Sequence, residues 1–377
     1  MGATMDPKTF RERLSEGRMD RRDLHRTLAA VGLSMVAVPM MSGAARAEDK
    51  DNLLAMTWAG YEIPEFVGEY VEEHGAQPEY SIFATQDEAL AKIRAGFAPD
   101  TVHLCTTKTQ KFADAEVIKP IDLERVPRWN DLWPRLREMK GVKLDDGEVY
   151  MVPVDWGSSS FCYRTDVFEG EGEETWAWLF DDRYAGRVAM QDAIMSIVAA
   201  GLVAGYDNPY VMPVDDLPEL KDKLVDQRES GIVRFYWESP TEYVNALANG
   251  EVDIAMCWAN GAIELQNQGI PVKYANPKEG VVTWVCGVSI SANGEADDEL
   301  VYDFIDAMLA PESGVYMIEG YGQGHSNTKA FDMVAPERLA ELGFANPSEM
   351  MDTSVFSTAS PAREAFESVW EEVKLGM

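Results

Sequence analysis

Short apolar runs alternate along the first part of the chain with segments whose apolar residues recur every three or four positions. Three of these runs predict strands, at 53–58, 80–84 and 101–105. Between them, Pro64 opens a predicted helix that stops at Gly75, and Thr85 begins a second that stops at Gly96. This β-α-β-α-β order predicts an α/β protein with a largely parallel sheet.

A second α/β series follows a polar connection at 140–147 and the segment YMVPVDWGSSSFCY. Its predicted strands are 187–191, 232–237, 252–258 and 281–289. Helices are predicted at 192–205, 239–250 and 262–268, and in the tail at 299–309 and 361–374. A chain of 377 residues with two such series suits two lobes better than one core.

The first 47 residues resemble an export leader. Arg21-Arg22 precedes the apolar stretch 28–41, and Ala45-Arg46-Ala47 supplies a cleavage signal. The paired arginines predict twin-arginine export, cleavage after Ala47 and a periplasmic location. The residue directly after the cleavage signal is Glu48 and not a cysteine, so we expect no lipid anchor.

Composition narrows the possible partners. The formal net charge of −32 disfavours nucleic acid and anionic lipid as ligands. General solvation of an acidic surface also accounts for a charge of this size. The four cysteines allow three disulfide pairings, among which the sequence does not choose. With four histidines and no C-x-x-C, no metal-site spacing stands out, and we expect neither a metal nor a cofactor.

Aromatic residues end or follow several predicted strands, where ligands bind in open α/β sheets. These residues are Trp58, Trp237, Trp258 and Trp284, with Trp156 between the two series. Each could equally be a core residue. Asp192 follows a strand and either caps a helix or binds a ligand, and Asp155 either caps a turn or does the same. The glycine-rich segment 320–324 predicts a loop, since no phosphate-loop context surrounds it.

An enzyme finds little support in the motifs. No G-x-S-x-G nucleophile elbow, H-E-x-x-H motif or S-x-x-K-type catalytic context stands out. His103 and Cys105 would share a strand face but, two residues apart, lie beyond hydrogen-bond reach of each other. The enzymatic alternative is a thiol enzyme with Cys105 or Cys286 as nucleophile.

From residue 52 onward the chain resembles the spermidine/putrescine-binding proteins of bacterial ABC importers, which have the type II periplasmic binding fold. The segments that carry the resemblance are TWAGY at 57–61, YMVPVDWG at 150–157, NGEVDIAMCWANGA at 249–262, PKEGVVTW at 277–284 and EGYGQGHSN at 319–327. The resemblance implies two lobes with ligand held between them. The expected division is 48–154 plus 288–377 for lobe 1 and 155–287 for lobe 2.

The resemblance also implies a site. Its aromatic walls would be Trp58, Tyr61, Trp258 and Trp284, whose faces attract alkylammonium groups. The other expected ligand-binding residues are Asp155, Trp156, Asp192, Trp237, Cys286 and Tyr321.

The acidic residues of the family pattern are mostly replaced here. Gly60, Met195 and Cys286 stand where the family has acids, and only Asp192 matches. A polyamine remains the leading named ligand, and a mono-cationic or quaternary amine is the alternative because one carboxylate with an aromatic box suits a single diffuse charge. The expected partner is an ABC permease, with a ligand-presenting sensor as a further alternative. We expect a monomer.

Overall fold

The computed structural model describes residues 52–168, 170, 172–360 and 362–376, so the predicted leader at 1–47 lies outside the described residues. The strands are β1 Leu54–Trp58, β2 Glu79–Phe83, β3 Thr101–Cys105, β4 Ile118–Lys119, β5 Val152–Arg164, β6 Val188–Gln191, β7 Val233–Trp237, β8 Ile254–Trp258, β9 Val272–Tyr274, β10 Val282–Ser291, β11 Gly324–His325 and β12 Val355–Phe356. The α-helices are α1 Gly68–His74, α2 Gln86–Arg94, α3 Thr109–Asp114, α4 Pro134–Arg137, α5 Met195–Ala204, α6 Leu217–Glu229, α7 Pro240–Ala248, α8 Ala259–Asn267, α9 Asp298–Met308, α10 Pro311–Tyr316, α11 Lys329–Met333, α12 Pro336–Glu341, α13 Pro347–Thr353 and α14 Arg363–Leu375.

The predicted alternation of strands and helices is confirmed, and local chemistry explains several boundaries. Gly75 ends α1 in the left-handed conformation, with φ +76°. Thr85 caps α2, because its hydroxyl accepts a hydrogen bond from the backbone N–H of Glu88 at 3.1 Å. Ser239 and Glu242 form the capping box that begins α7. These caps set the helix lengths, and therefore where each following strand starts.

The strands join in one sheet whose main order is β2-β1-β3-β10-β5-β8-β6-β7. The pairs β1–β2, β1–β3, β6–β7 and β6–β8 are parallel, whereas β10 and β5 run antiparallel to their neighbours in this order. The predicted largely parallel arrangement therefore holds within each α/β series. The two series meet at a central antiparallel pair.

The two central strands join the lobes of this α/β fold. The first half of β5 pairs with residues 282–288 of β10, and its second half pairs with β8 and β9. The β5–β10 register shifts between Cys286 and Gly287, next to the boundaries predicted at 154/155 and 287/288. The lobe boundaries themselves remain a prediction.

Helix α14 packs differently from its predicted assignment to lobe 1. Phe366, Trp370 and Val373 are buried in one cluster with Leu220 and Leu224 of α6. Since α6 lies within 155–287, we revise the proposed division and group residues 363–375 with lobe 2.

The predicted loop at 320–324 is partly regular. Met317–Tyr321 forms a π-helical turn that ends at Gly322, and Gly324–His325 pairs with β5. A Cβ at Gly324 would lie 2.1 Å from the Trp156 indole, so this glycine permits a close strand approach. A glycine-rich segment therefore forms a packed connection here.

Among the described residues, no helix combines the length and apolar character needed to cross a bilayer.

Candidate functional site

Tyr61 and Asp155, two predicted site residues, lie in direct contact. The Tyr61 hydroxyl donates to Oδ2 of Asp155 at 2.7 Å and lies 3.1 Å from Oε1 of Gln323. Nε2 of His103 lies 3.0 Å from Oδ1 of Asp155, and Nδ1 lies 3.2 Å from the hydroxyl of Thr57. This network joins the loop after β1 to β3 and β5.

Asp155 is completely buried, with an exposed fraction of 0%. Burial, together with the charge of Asp155, raises the pKa of Tyr61 well above its usual value, so the hydroxyl stays protonated and donates. Both carboxylate oxygens of Asp155 therefore already have partners. The structure favours a role in holding Tyr61 over a free carboxylate for ligand, and it does not support a turn-capping role.

Tyr321 closes the other side of Tyr61. Its hydroxyl donates to the carbonyl of Gly60 at 2.7 Å, and the two tyrosine rings have centroids 6.4 Å apart. Gly60 has φ +96°, a conformation that strains a residue with a side chain. An acidic side chain at Gly60 would therefore be strained in the backbone conformation that this chain adopts.

Trp284 and Trp258 flank β5 on one face of the sheet. Trp284 pairs with Gly157 of β5, and Ser159, two residues on, pairs with Trp258. The Trp284 indole lies over Gly157, where a Cβ would approach it to 2.2 Å. Both tryptophans are only partly buried. They form the partly exposed aromatic part of the candidate site.

Cys286 lies on the same face as Trp284, but it forms a disulfide with Cys105. The two cysteines are directly opposite each other on β10 and β3. Neither is a free thiol, which removes the nucleophile of the thiol-enzyme alternative. Cys162 and Cys257 are free and buried, and burial together with the Cys162 thiol raises the pKa of Cys257. Each of the three pairings left open by the sequence joins all four cysteines. Among the described residues, the structure instead has one disulfide, Cys105–Cys286, and two free thiols.

Three aromatic residues that were predicted to contact ligand pack against other residues of the protein. Trp156 has an exposed fraction of 0% and donates to the carbonyl of His325, and Trp237 is buried beneath Trp258 with ring centroids 5.6 Å apart. Trp58 is half-buried, with its ring edge-on to Phe83 at 4.5 Å. The core alternative therefore holds for Trp156 and Trp237, because strand ends also supply packing.

Asp192 follows β6 as predicted, but it does not cap a helix. Helix α5 begins three residues later, and its N-cap position is Ile194. The carboxylate instead accepts a hydrogen bond from Trp370 Nε1 at 2.7 Å and pairs with Lys374 Nζ at 3.0 Å. The sequence could not reveal these partners, since α14 is 178 residues away along the chain.

Sequence reasoning missed His103 and Gln323 as parts of the site. His103 was considered only as a partner of Cys105. The strand alternation that placed His103 and Cys105 on one face was the available signal, because the same face carries Asp155 on the neighbouring central strands. Gln323 had no signal beyond its place in the glycine-rich segment.

Comparison with known proteins agrees with this architecture. The family model described as "Bacterial extracellular solute-binding protein" matches residues 68–343. The spermidine/putrescine-binding periplasmic protein of Salmonella typhimurium is 24% identical over 350 residues, covering 91% of this chain and 97% of that protein.

Solved structures show the same fold. The spermidine/putrescine ABC transporter substrate-binding protein PotD of Streptococcus pneumoniae aligns with TM-score 0.74 and 19% identity, over 86% of this chain and 99% of that one. The periplasmic binding protein MotA of A. tumefaciens B6, in complex with glucopine, aligns with TM-score 0.64 and 18% identity, over 86% and 99%. The chain belongs to the bacterial extracellular solute-binding protein family.

Proposed function

We propose that this protein captures a small organic cation with a single positive charge, a mono-cationic or quaternary amine, and delivers it to an ABC permease. The observation that carries the proposal is the combination of partly exposed indoles at Trp258 and Trp284 with carboxylates that are already paired. Transport rather than sensing is supported by the relatives named as binding proteins of ABC transporters. The twin-arginine route to the periplasm remains part of the proposal.

The aromatic side chains supply attraction that does not need a carboxylate. An organic cation over the face of a tryptophan gains about 0.5–2 kcal/mol, more when water is excluded. Trp258 and Trp284 lie on the same face of the sheet, on either side of β5. Two indoles on one face of the sheet, with a single strand between them, offer aromatic surface to a diffuse positive charge.

The carboxylates limit the number of charges. Asp155 is bound to Tyr61 and His103, and Asp192 to Trp370 and Lys374. A second ammonium that bound to Asp155 or Asp192 would have to displace one of these partners, and leaving a buried polar group unpaired costs several kcal/mol. A multiply charged ligand is therefore disfavoured by the arrangement of side chains.

A polyamine is the second candidate. It is favoured by the relatives, since the Salmonella protein is named for spermidine and putrescine. The solved relative in complex with glucopine shows that the same fold also holds a different solute.

Calorimetry with choline, a betaine, putrescine and spermidine tests the proposal. We expect the mono-cations to bind and spermidine to bind more weakly. The variant Trp284→Leu should lose at least tenfold in affinity for the mono-cation, while Phe97→Leu, which replaces an exposed aromatic side chain on another segment, should not. Tight spermidine binding with no response to mono-cations would refute the proposal in favour of the polyamine.

Domain closure is a part of the proposed mechanism. Tyr61 and Tyr321 lie in the proposed lobe 1, and Trp258 in lobe 2, so a ligand that contacts both groups would draw the lobes together. Small-angle scattering with saturating ligand should give a smaller radius of gyration, and an unchanged radius would contradict closure. The same data test the expected monomer.

A further inference from the structure

The contact between α14 and Asp192 places a lysine on a carboxylate just after β6, the strand that runs parallel beside β8 and its terminal Trp258. Lys374 Nζ lies 3.0 Å from Oδ1 of Asp192 and 2.9 Å from Oε1 of Glu371. The indole N–H of Trp370 donates to the same Asp192 oxygen at 2.7 Å. The anion is thus shared between an ammonium and an indole of the same helix.

Helix α14 is held firmly enough to keep this contact. Phe366, Trp370 and Val373 are buried against α6, and Arg228 donates to the carbonyl of Val373 at 2.6 Å. Lys221 of α6 adds an ion pair with Glu372 at 2.5 Å. The Asp192 and Lys374 side chains are exposed by only 17% and 27%, so water screens their pair less than it would a surface pair.

The lysine side chain resembles one end of an alkyl diamine. Four methylene groups and a terminal ammonium form an aminobutyl group, which is the same unit that ends putrescine. Beside an aromatic ring and a carboxylate, that group has the surroundings that a bound alkylammonium needs. Because it is tethered, its effective concentration is on the order of millimolar, and a free amine must compete against it.

We propose that Lys374 is a specificity-determining residue, which fills the cationic position at Asp192 with the chain's own aminobutyl group and so excludes a second ligand ammonium. This inference rests on the proposed function, since it explains why the ligand carries a single charge. Asp192 then contributes through its pair with Lys374 and not through direct contact with the ligand.

Calorimetry with putrescine and choline on four proteins tests the inference: wild type, Lys374→Met, Asp192→Asn and the double variant. Methionine keeps much of the apolar stem while removing the charge. We expect Lys374→Met to bind putrescine at least tenfold more tightly than wild type, with choline changed less than threefold. The gain should vanish in the double variant, and Asp192→Asn alone should leave choline binding nearly unchanged.

The matched control is Lys221→Met, which removes an ion pair between α6 and α14 without touching Asp192. It should not gain putrescine affinity. If Lys374→Met does not fold, Lys374→Gln, which keeps a hydrogen-bond donor without charge, carries the same test. A gain in the control, or a gain that survives in the double variant, overturns the inference.

The outcomes separate this inference from the proposed function. If wild type binds choline and Lys374→Met gains nothing for putrescine, only the inference fails. If wild type binds neither amine but Lys374→Met binds putrescine, the inference holds and the proposed function fails. If none of the proteins binds either amine, both fail.

Discussion

The imidazole of His103 and the carboxylate of Asp155 lie 3.0 Å apart and are both almost completely buried. Their contact joins β3 to β5, and the second oxygen of Asp155 holds the hydroxyl of Tyr61. A buried carboxylate with two donors stabilises the fold because those donors have no water to replace it.

Replacing Asp155 should therefore destabilise the protein strongly. In Asp155→Ala, the donors on Tyr61 and His103 lose their acceptor, and we expect the free energy of unfolding to fall by about 3–5 kcal/mol. Urea denaturation followed by circular dichroism measures this. The control Asp298→Ala, whose exposed side chain pairs with Lys119 at 3.4 Å, should cost less than about 1 kcal/mol. Equal losses in the two variants would contradict the network.

Thiol counting tests the disulfide. In the native protein we expect a thiol reagent to label nothing, because Cys162 and Cys257 are buried and Cys105 is bonded to Cys286. After unfolding without a reductant, two thiols should react, and after reduction four. Four reactive thiols before reduction would contradict the Cys105–Cys286 bond, and none would mean that Cys162 and Cys257 are also paired.

Acid should weaken the fold through His325. Burial lowers the pKa of His325 to about 4, from the ordinary 6.5, so the folded protein holds this imidazole neutral. Between these values the unfolded chain binds the proton and the folded chain does not. The stabilisation is fully present above pH 6.5 and is lost as the pH falls toward 4, by about 3 kcal/mol in all.

The measurement compares unfolding free energies of wild type and His325→Gln from pH 7 to pH 4. Wild type should lose about 3 kcal/mol more than the variant over this range. Parallel curves for wild type and His325→Gln would show that His325 does not carry the effect.

Gly157→Ala should disturb the aromatic site from beneath. A Cβ at this position would lie 2.2 Å from Cζ2 of Trp284, so the indole must move. We expect an altered tryptophan emission spectrum and at least a tenfold loss in affinity for the ligand. Gly68→Ala, where nothing lies within 4 Å of the added carbon, should change neither. Unchanged binding in Gly157→Ala would remove Trp284 from the site.

Much of the fold follows from short-range signals. The strand bounds at 101–105 agree with the structure, and the glycine stops at Gly75 and Gly250 both have positive φ. These features depend on residues within one turn or one strand. The aromatic strand ends at Trp58, Trp237 and Trp258 were visible for the same reason.

The partners of the charged residues did not follow from the sequence. Asp192 contacts a helix 178 residues further on, and Asp155 contacts His103, 52 residues before it. Packing also decides which tryptophans stay partly exposed. Trp156 is completely buried, whereas Trp284 is only partly buried. Pairwise contacts of this kind depend on the assembled sheet, and local patterns do not encode them.

The central pair of strands limits how the two lobes can move. At Gly287 the backbone of β10 comes so close to β5 that a Cβ would lie 2.1 Å from the carbonyl oxygen of Val152, and the disulfide at Cys286 fastens the same strand to β3. The lobes are thus connected by a hydrogen-bonded ribbon instead of two free linkers. Such a ribbon resists twisting, so the proposed closure of the lobes would have to deform its hydrogen bonds.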